Sequence, residues 1–341
     1  MSHLGISIRH CGMVTSLGAT AASTCAAVRA KLSNASTTQF AQADGEWLVA
    51  HQVALGEPAE GVHKLALMAA MAIGECLDGI SPSRWSSIPM LLCLADSARP
   101  GRVADLEDRL LRALERMLGT RFGKQSAVLA HGRVGASVAL AQAQRLIAEG
   151  VPQVLIVATD SLLEWSTLDA YMAQGRLLGP FNANGFVAGE GAGAVLVTAA
   201  GPSSDMVCLG VGFGHEPAHI DSGEPLRGDG LAQAIKAALA PSGLQIHEVD
   251  YRVADLSGEQ YYFKEAALAL LRTMRHRRET FDLWHPAECI GELGAVAGMA
   301  GVILATHAGH RNYAPGGKVL IHCANDGGQR AALVLQKGAA S

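Results

Sequence analysis

The stretch Gly179-Pro-Phe-Asn-Ala-Asn-Gly-Phe-Val-Ala-Gly-Glu-Gly-Ala-Gly-Ala-Val-Leu-Val197 decides how the rest of the chain is read. Its glycines from Gly185 to Gly193 invite comparison with a phosphate cradle, but no Lys-Ser/Thr pair closes the run and no helix opens behind a strand, so nucleotide binding is rejected. A steric role remains: glycines allow close backbone turns beside a pocket. The run leads into Ala194 to Thr198 (AVLVT), a short apolar segment that reads as a buried strand. Upstream, Val154 to Ala158 (VLIVA) reads the same way.

Around these strands lie helical patterns: His63 to Leu77, Ala104 to Leu118 with acids early and arginines later, and Ala136 to Glu149 closed by Gly150. The apolar pattern breaks at Gly201-Pro-Ser-Ser204 and then restarts. Met206 to Val211, Tyr251 to Val253, Val319 to His322 and Ala331 to Leu335 read as strands, the last two as a hairpin-like pair. Gly230 to Leu239, Tyr262 to His276 and Leu293 to Thr306 read as helices. Strands alternating with helices predict an α/β protein built on βαβ units. The similar element order on either side of the break predicts two similar halves, residues 1–200 and 205–337.

Composition excludes several classes. The chain has 341 residues, enough to bury its own core, and only 17% are charged against about 25% in ordinary soluble domains. Part of the surface is therefore expected to be covered by another chain. A net charge of −4 with no long basic block argues against nucleic-acid binding. No secretory leader or membrane-length apolar stretch is read, so a cytoplasmic location is expected. The seven cysteines (11, 25, 76, 93, 208, 289 and 323) form no C-x-x-C pair, which predicts neither a disulfide framework nor a metal site. No cofactor is expected.

The 179–197 stretch resembles the "PFDANGFVxGEGAGAVVL" segment of β-ketoacyl synthases, condensing enzymes of the thiolase superfamily. Other segments follow in order. Gly12-Met-Val-Thr-Ser-Leu-Gly18 resembles the opening "GxVxPLG", and Leu146-Ile-Ala-Glu-Gly150 with the VLIVA strand resembles "LIxxGxADVVLAGG". Gly291 to Gly298 lies over "GHxLGAAG" and His322-Cys-Ala-Asn-Asp-Gly-Gly328 over "NSFGFGG". The resemblance implies a thiolase-like, five-layered α/β/α/β/α fold, with the Val154 to Ala158 strand pairing across a two-fold dimer axis.

Such enzymes load an acyl group on a cysteine at a buried helix N-terminus and use two histidines for decarboxylation and oxyanion binding. Alignment on the resemblance puts Arg133 in the cysteine's seat, Asp255 in that of the first histidine and Glu292 in that of the second. No cysteine occurs between residues 94 and 207. A guanidinium at a helix N-terminus opposes the dipole by roughly 0.3–1 kcal/mol, and a buried one needs an anion. Asp255 and Glu292 are the expected partners, giving an Arg–carboxylate cluster; the competing reading sends Arg133 to solvent with the acids apart. Cys289 and Cys323 are alternative thiols at the pocket's border, or inert core residues. His131 and His322 read as structural, and Asp96 and Asp160 receive no role.

The expected function is a catalytically degenerate synthase-like protein acting as a binding, scaffold or partner subunit. It would form a homodimer or pair with a synthase-like relative, and an acyl carrier protein or a secretion cargo is a further partner, because similar short proteins accompany type VI secretion cargo. The alternative is an acyltransferase or 3-oxoacyl-carrier-protein synthase with a non-standard active site.

Overall fold

The computed structural model describes residues 5–41, 45–201 and 205–338. The first part of the chain runs β1 (Ile6–Val14), α1 (Ala21–Arg29), β2 (Ser36–Ala41), β3 (Trp47–Ala50), α2 (Gly61–Cys76), β4 (Met90–Cys93) and α3 (Leu106–Leu118). It continues through β5 (Ala127–Leu129), α4 (Gly135–Ala148), β6 (Gln153–Ser161), α5 (Trp165–Ala173) and β7 (Glu190–Ala199). The second part runs β8 (Met206–His215), α6 (Asp229–Ser242), β9 (Tyr251–Ala254), α7 (Gln260–Thr273) and β10 (Leu283–Trp284). It ends with α8 (Ala287–Ile290), α9 (Ala297–His310), β11 (Lys318–Ala324) and β12 (Gln329–Lys337).

Ten strands hydrogen-bond in the order β5-β4-β6-β7-β1-β8-β12-β11-β9-β10, and β2–β3 form a separate pair. Outward from β1 the contacts are antiparallel to β7, antiparallel to β6, then parallel to β4 and β5. Outward from β8 they repeat: antiparallel to β12 and β11, then parallel to β9 and β10. The two five-strand sets meet where Ile6 to Ile8 pair with Met206 to Cys208. Three apolar layers cover them. α2 and α3 bury Leu65, Met68, Ile73 and Leu110 against the first set, and α6 and α7 bury Ile235, Ala238 and Ala269 against the second. Between the two lie α4 and α9, with Leu140, Val302 and Ile303 in one continuous core. This is the five-layered α/β/α/β/α arrangement.

Small residues set the layer spacing. A Cβ at Gly210, Gly212 or Gly214 would sit 2.0 to 2.1 Å from a backbone oxygen of α6, so this alternating stripe brings the α6 backbone directly onto β8. The 179–197 run behaves similarly. Its glycines 189, 191 and 193 fall on one side of an extended segment, and Cβ atoms there would strike Ile290 O, Val14 O and Met299 Cγ at 2.6 to 2.8 Å. The expected steric role therefore operates in a strand and its approach, and at Gly185 in a bend, where a Cβ would lie 2.6 Å from Leu177 C.

Several expectations shift. The Val154 to Ala158 strand cannot pair across a dimer axis, because β6 is hydrogen-bonded on both sides within the chain, to β4 and to β7. The outer strand of that set is β5. The helix expected over Leu293 to Thr306 begins at Ala297 and reaches His310; Gly294–Val296 form a 3-10 lead-in. The helix expected to reach His276 ends at Thr273. Glu149 is the C-cap of α4, with Gly150 following at φ +97°. The predicted break includes residues 202–204, which lie outside the described residues. No helix among the described residues is long and apolar enough to cross a membrane.

Candidate functional site

Arg133 sits on a 3-10 turn, Gly132–Val134, that leads into α4. Gly132 adopts φ +53°, a conformation that favours glycine and reverses the chain just before the turn. The first turn of α9 presses against it: a Cβ on Gly298 would lie 2.8 Å from Arg133 O. The arginine is thereby buried, with 8% of its surface exposed.

The structure brings Arg133, Asp255 and Glu292 together. Arg133 Nη1 donates to Glu292 Oε2 at 3.3 Å, and its Nε lies 4.0 Å from Asp255 Oδ2, an ion-pair distance. It also reaches two residues that sequence reasoning missed. Nη2 donates to Tyr262 Oη at 2.9 Å and forms a close ion pair with Asp326, while the guanidinium lies over the Tyr262 ring. A second buried arginine, Arg176, completes the cluster. It donates to both oxygens of Glu259 at 2.7 and 2.9 Å, and to Asp326 at 2.7 and 3.2 Å. Asp326, on the turn between β11 and β12, is thus shared by two guanidiniums.

The electrostatics follow from this sharing. Burial alone would weaken the charged form of Arg133, but Tyr262, Asp326, Glu292 and Asp255 outweigh it and push the guanidinium above its ordinary range. Burial would raise Asp326 as well, yet Arg133 and Arg176 hold its carboxyl well below the usual carboxylate range. Asp255 is less compensated: burial pushes it up to about 6 against Arg133 and the Ala324 N–H at 2.8 Å. Glu292 is raised by burial too, opposed by Arg133 and by the Gly294 N–H at 2.9 Å.

Beside the cluster lies a cavity of about 140 Å³, bordered by Arg99, Arg133, Asp160, Tyr171, Phe186 and Asp326. Asp96 and Asp160, given no role from sequence, both reach its wall. Asp160 accepts from Arg99 Nη1 at 2.5 Å and from the Ala295 N–H at 2.8 Å. The thiols do not border this cavity. Cys323 is buried on β11, and burial, with Asp255 and Glu292, pushes it far above an ordinary thiol, Arg133 opposing. Cys289 is buried in α8, raised by burial and Glu288. His131 is exposed and meets the cluster through its carbonyl, which accepts from Asn325 Nδ2 at 2.9 Å. Burial lowers His322 to about 3, so it is a neutral ring inside β11. The signal that could have revealed Asp326 was in view: a carboxylate stands where the "NSFGFGG" pattern has its second phenylalanine.

This arrangement pairs buried charges tightly at the mouth of α4. Among the described residues no group of three or more His, Cys, Asp or Glu is placed to hold a metal ion.

No protein-family model and no curated protein matches the sequence. Solved structures do. A chain of the complex between a ketosynthase and its chain length factor from Xenorhabdus doucetiae matches with a TM-score of 0.77 at 16% identity, covering 98% of each chain. The ishigamide ketosynthase/chain length factor matches at 0.77 and 17% identity over 99% of this chain and 100% of that one. A structure of a type II polyketide acyl-carrier protein in complex with its ketosynthase bound to the hexaketide matches at 0.80 and 14%, over 98% and 99%. The chain therefore has the thiolase-like fold of ketosynthase and chain length factor proteins.

Proposed function

We propose that this chain is a ketosynthase-like subunit that does not condense acyl groups and works by binding. It would be the partner of a synthase-like chain or of a second copy of itself, with an acyl carrier protein as a further partner. The carrying observation is Arg133, a buried cation tied to Glu292 and Asp326 at the position where the resemblance implies a cysteine nucleophile. The raised thiols of Cys289 and Cys323 support the same reading, since the thiolate is the reactive form. So do the neighbours solved as ketosynthase and chain length factor pairs.

The low charged fraction, 17%, favours a covered surface. The short outer strand β5, whose three residues are partly buried in the single chain, offers an unpaired edge for it. Intact-protein mass after incubation with acyl-CoA or acylated carrier protein tests the reading: no covalent adduct is expected. A stable adduct lost in Cys289→Ala or Cys323→Ala would overturn it in favour of the acyltransferase. Affinity capture from the native host identifies the partner. A synthase-like chain or carrier protein is expected, and a secreted cargo would place the same partner role in the type VI setting.

A further inference from the structure

We infer that a second pocket, where α1 meets α8 and α9, is a receptor site for a small aromatic monocarboxylate. It shares no residue with the Arg133 cavity, so it stands or falls apart from the reading above. Its volume is about 210 Å³, larger than the roughly 150 Å³ void that accepts benzene, and it holds one ring with a short arm. Val28 and Cys25 of α1 and Leu304 of α9 supply apolar surface, and Trp284 and Tyr313 add rings that lie 21° from parallel with centroids 6.4 Å apart. Flat aromatic surfaces of this kind suit a flat ring. Burial raises the Cys25 thiol to about 12, so it is a neutral part of the lining and the site is one of binding only.

The charge at the rim selects the sign of the ligand. Arg29 lies 4.5 Å over the Tyr313 ring and makes no ion pair among the described residues. The one acid of the pocket, Glu288, is already engaged by Lys31 and by His285 at 3.7 Å. One guanidinium is therefore left without a counter-ion beside an aromatic pocket, and a carboxylate on a ring supplies both halves of the match. Lys31 itself is held at φ +56° by the closing turn of α1, where Lys31 N–H bonds Val28 O and Leu32 N–H bonds Ala27 O. Glycine is favoured at such a position, yet a lysine that engages Glu288 occupies it.

The test is calorimetric titration of the full chain with phenylacetate, phenylacetamide and benzylamine. Saturable binding of phenylacetate is expected, with the amide about tenfold weaker and the amine not binding. Arg29 is exposed, so Arg29→Gln is expected to fold normally, to weaken phenylacetate about tenfold and to leave the amide unchanged, while Arg29→Lys retains most of the affinity. Val28→Phe fills the cavity and is expected to abolish binding. The inference is overturned if phenylacetate does not saturate, if acid and amide bind equally, if Arg29→Gln binds like the parent, or if a folded Val28→Phe still binds.

Discussion

The two central helices begin in the same way and carry opposite chemistry. α4 is preceded by Gly132-Arg133-Val134 and α9 by Gly294-Ala295-Val296, each a 3-10 turn opened by a glycine at φ +53° or +55°. Each leads into a helix of 14 residues. At the middle position the first turn has a guanidinium held by three carboxylates, whereas the second has a fully buried alanine whose N–H binds Asp160. The backbone geometry thus does not demand a charge. Arg133 is matched there by Asp255, Glu292 and Asp326, which converge on it from the second part of the chain, and the comparison isolates what those acids contribute.

The most damaging way to break the comparison is to make the turns alike. Ala295→Arg would force a guanidinium into a fully buried alanine's place, next to an Asp160 already paired with Arg99, and a loss above about 4 kcal/mol is expected, read as absence of a cooperative urea transition. Arg133→Ala removes the shared cation and is expected to cost about 3–5 kcal/mol in urea midpoint analysis. Replacing Arg133, Asp255 and Glu292 together by Met, Asn and Gln should cost less than Arg133→Ala alone, since two of the three carboxylates go with the cation and Asp326 keeps its bonds to Arg176. An equal or larger loss would show that packing, not charge, makes Arg133 valuable.

The next effect is a pH slope. The Asp255 carboxyl is raised from 3.8 unfolded to about 6 folded, so its stabilising contribution is complete below about pH 4 and is lost as pH rises through 6. That loss amounts to at most about 3 kcal/mol by neutral pH. Asp326 runs the other way: its depressed carboxyl contributes above the ordinary carboxylate range and loses that contribution only on acidification below it. Between pH 5 and 8 the Asp255→Asn variant should therefore show a shallower loss of stability with rising pH than the parent, with a further part of that loss removed by Glu292→Gln.

The smallest effect concerns the two opening glycines. Both alanine variants carry the cost of a left-handed backbone, about 1–2 kcal/mol. At Gly132 the new Cβ meets Asn325 Oδ1 at 3.1 Å, but at Gly294 it meets Asp160 Oδ2 at 2.1 Å. Gly294→Ala is thus expected to exceed Gly132→Ala by about 1–3 kcal/mol in thermal or urea denaturation.

Much of the architecture was legible because its signals are local. VLIVA and AVLVT carry their burial in their composition, and the 319–335 pair carries its turn in Asn325-Asp-Gly-Gly328. The outer strand was not legible: Ala127-Val-Leu129 is too short to show a period, so the edge was assigned to the stronger apolar run, which in fact lies inside the sheet. At the site, Arg133 with Asp255 and Glu292 could be anticipated from their places in ordered motifs. Arg176, Glu259 and Tyr262 could not, because they are joined only through space: Arg176 and Glu259 are 83 residues apart, and Arg133 and Tyr262 are 129 apart.

Asp326 is bonded to Arg133, Arg176 and Tyr262 at once, so no single substitution frees the cluster of its charge. Installing a sulfur through Arg133→Cys would seat the new thiol among Asp255, Glu292 and Asp326 with its neutralising charge gone, a field that discourages ionisation. Such a variant should resist alkylation at neutral pH. A reactive thiol at this position would require the acids to be rewritten first, and those acids lie far from one another in the chain.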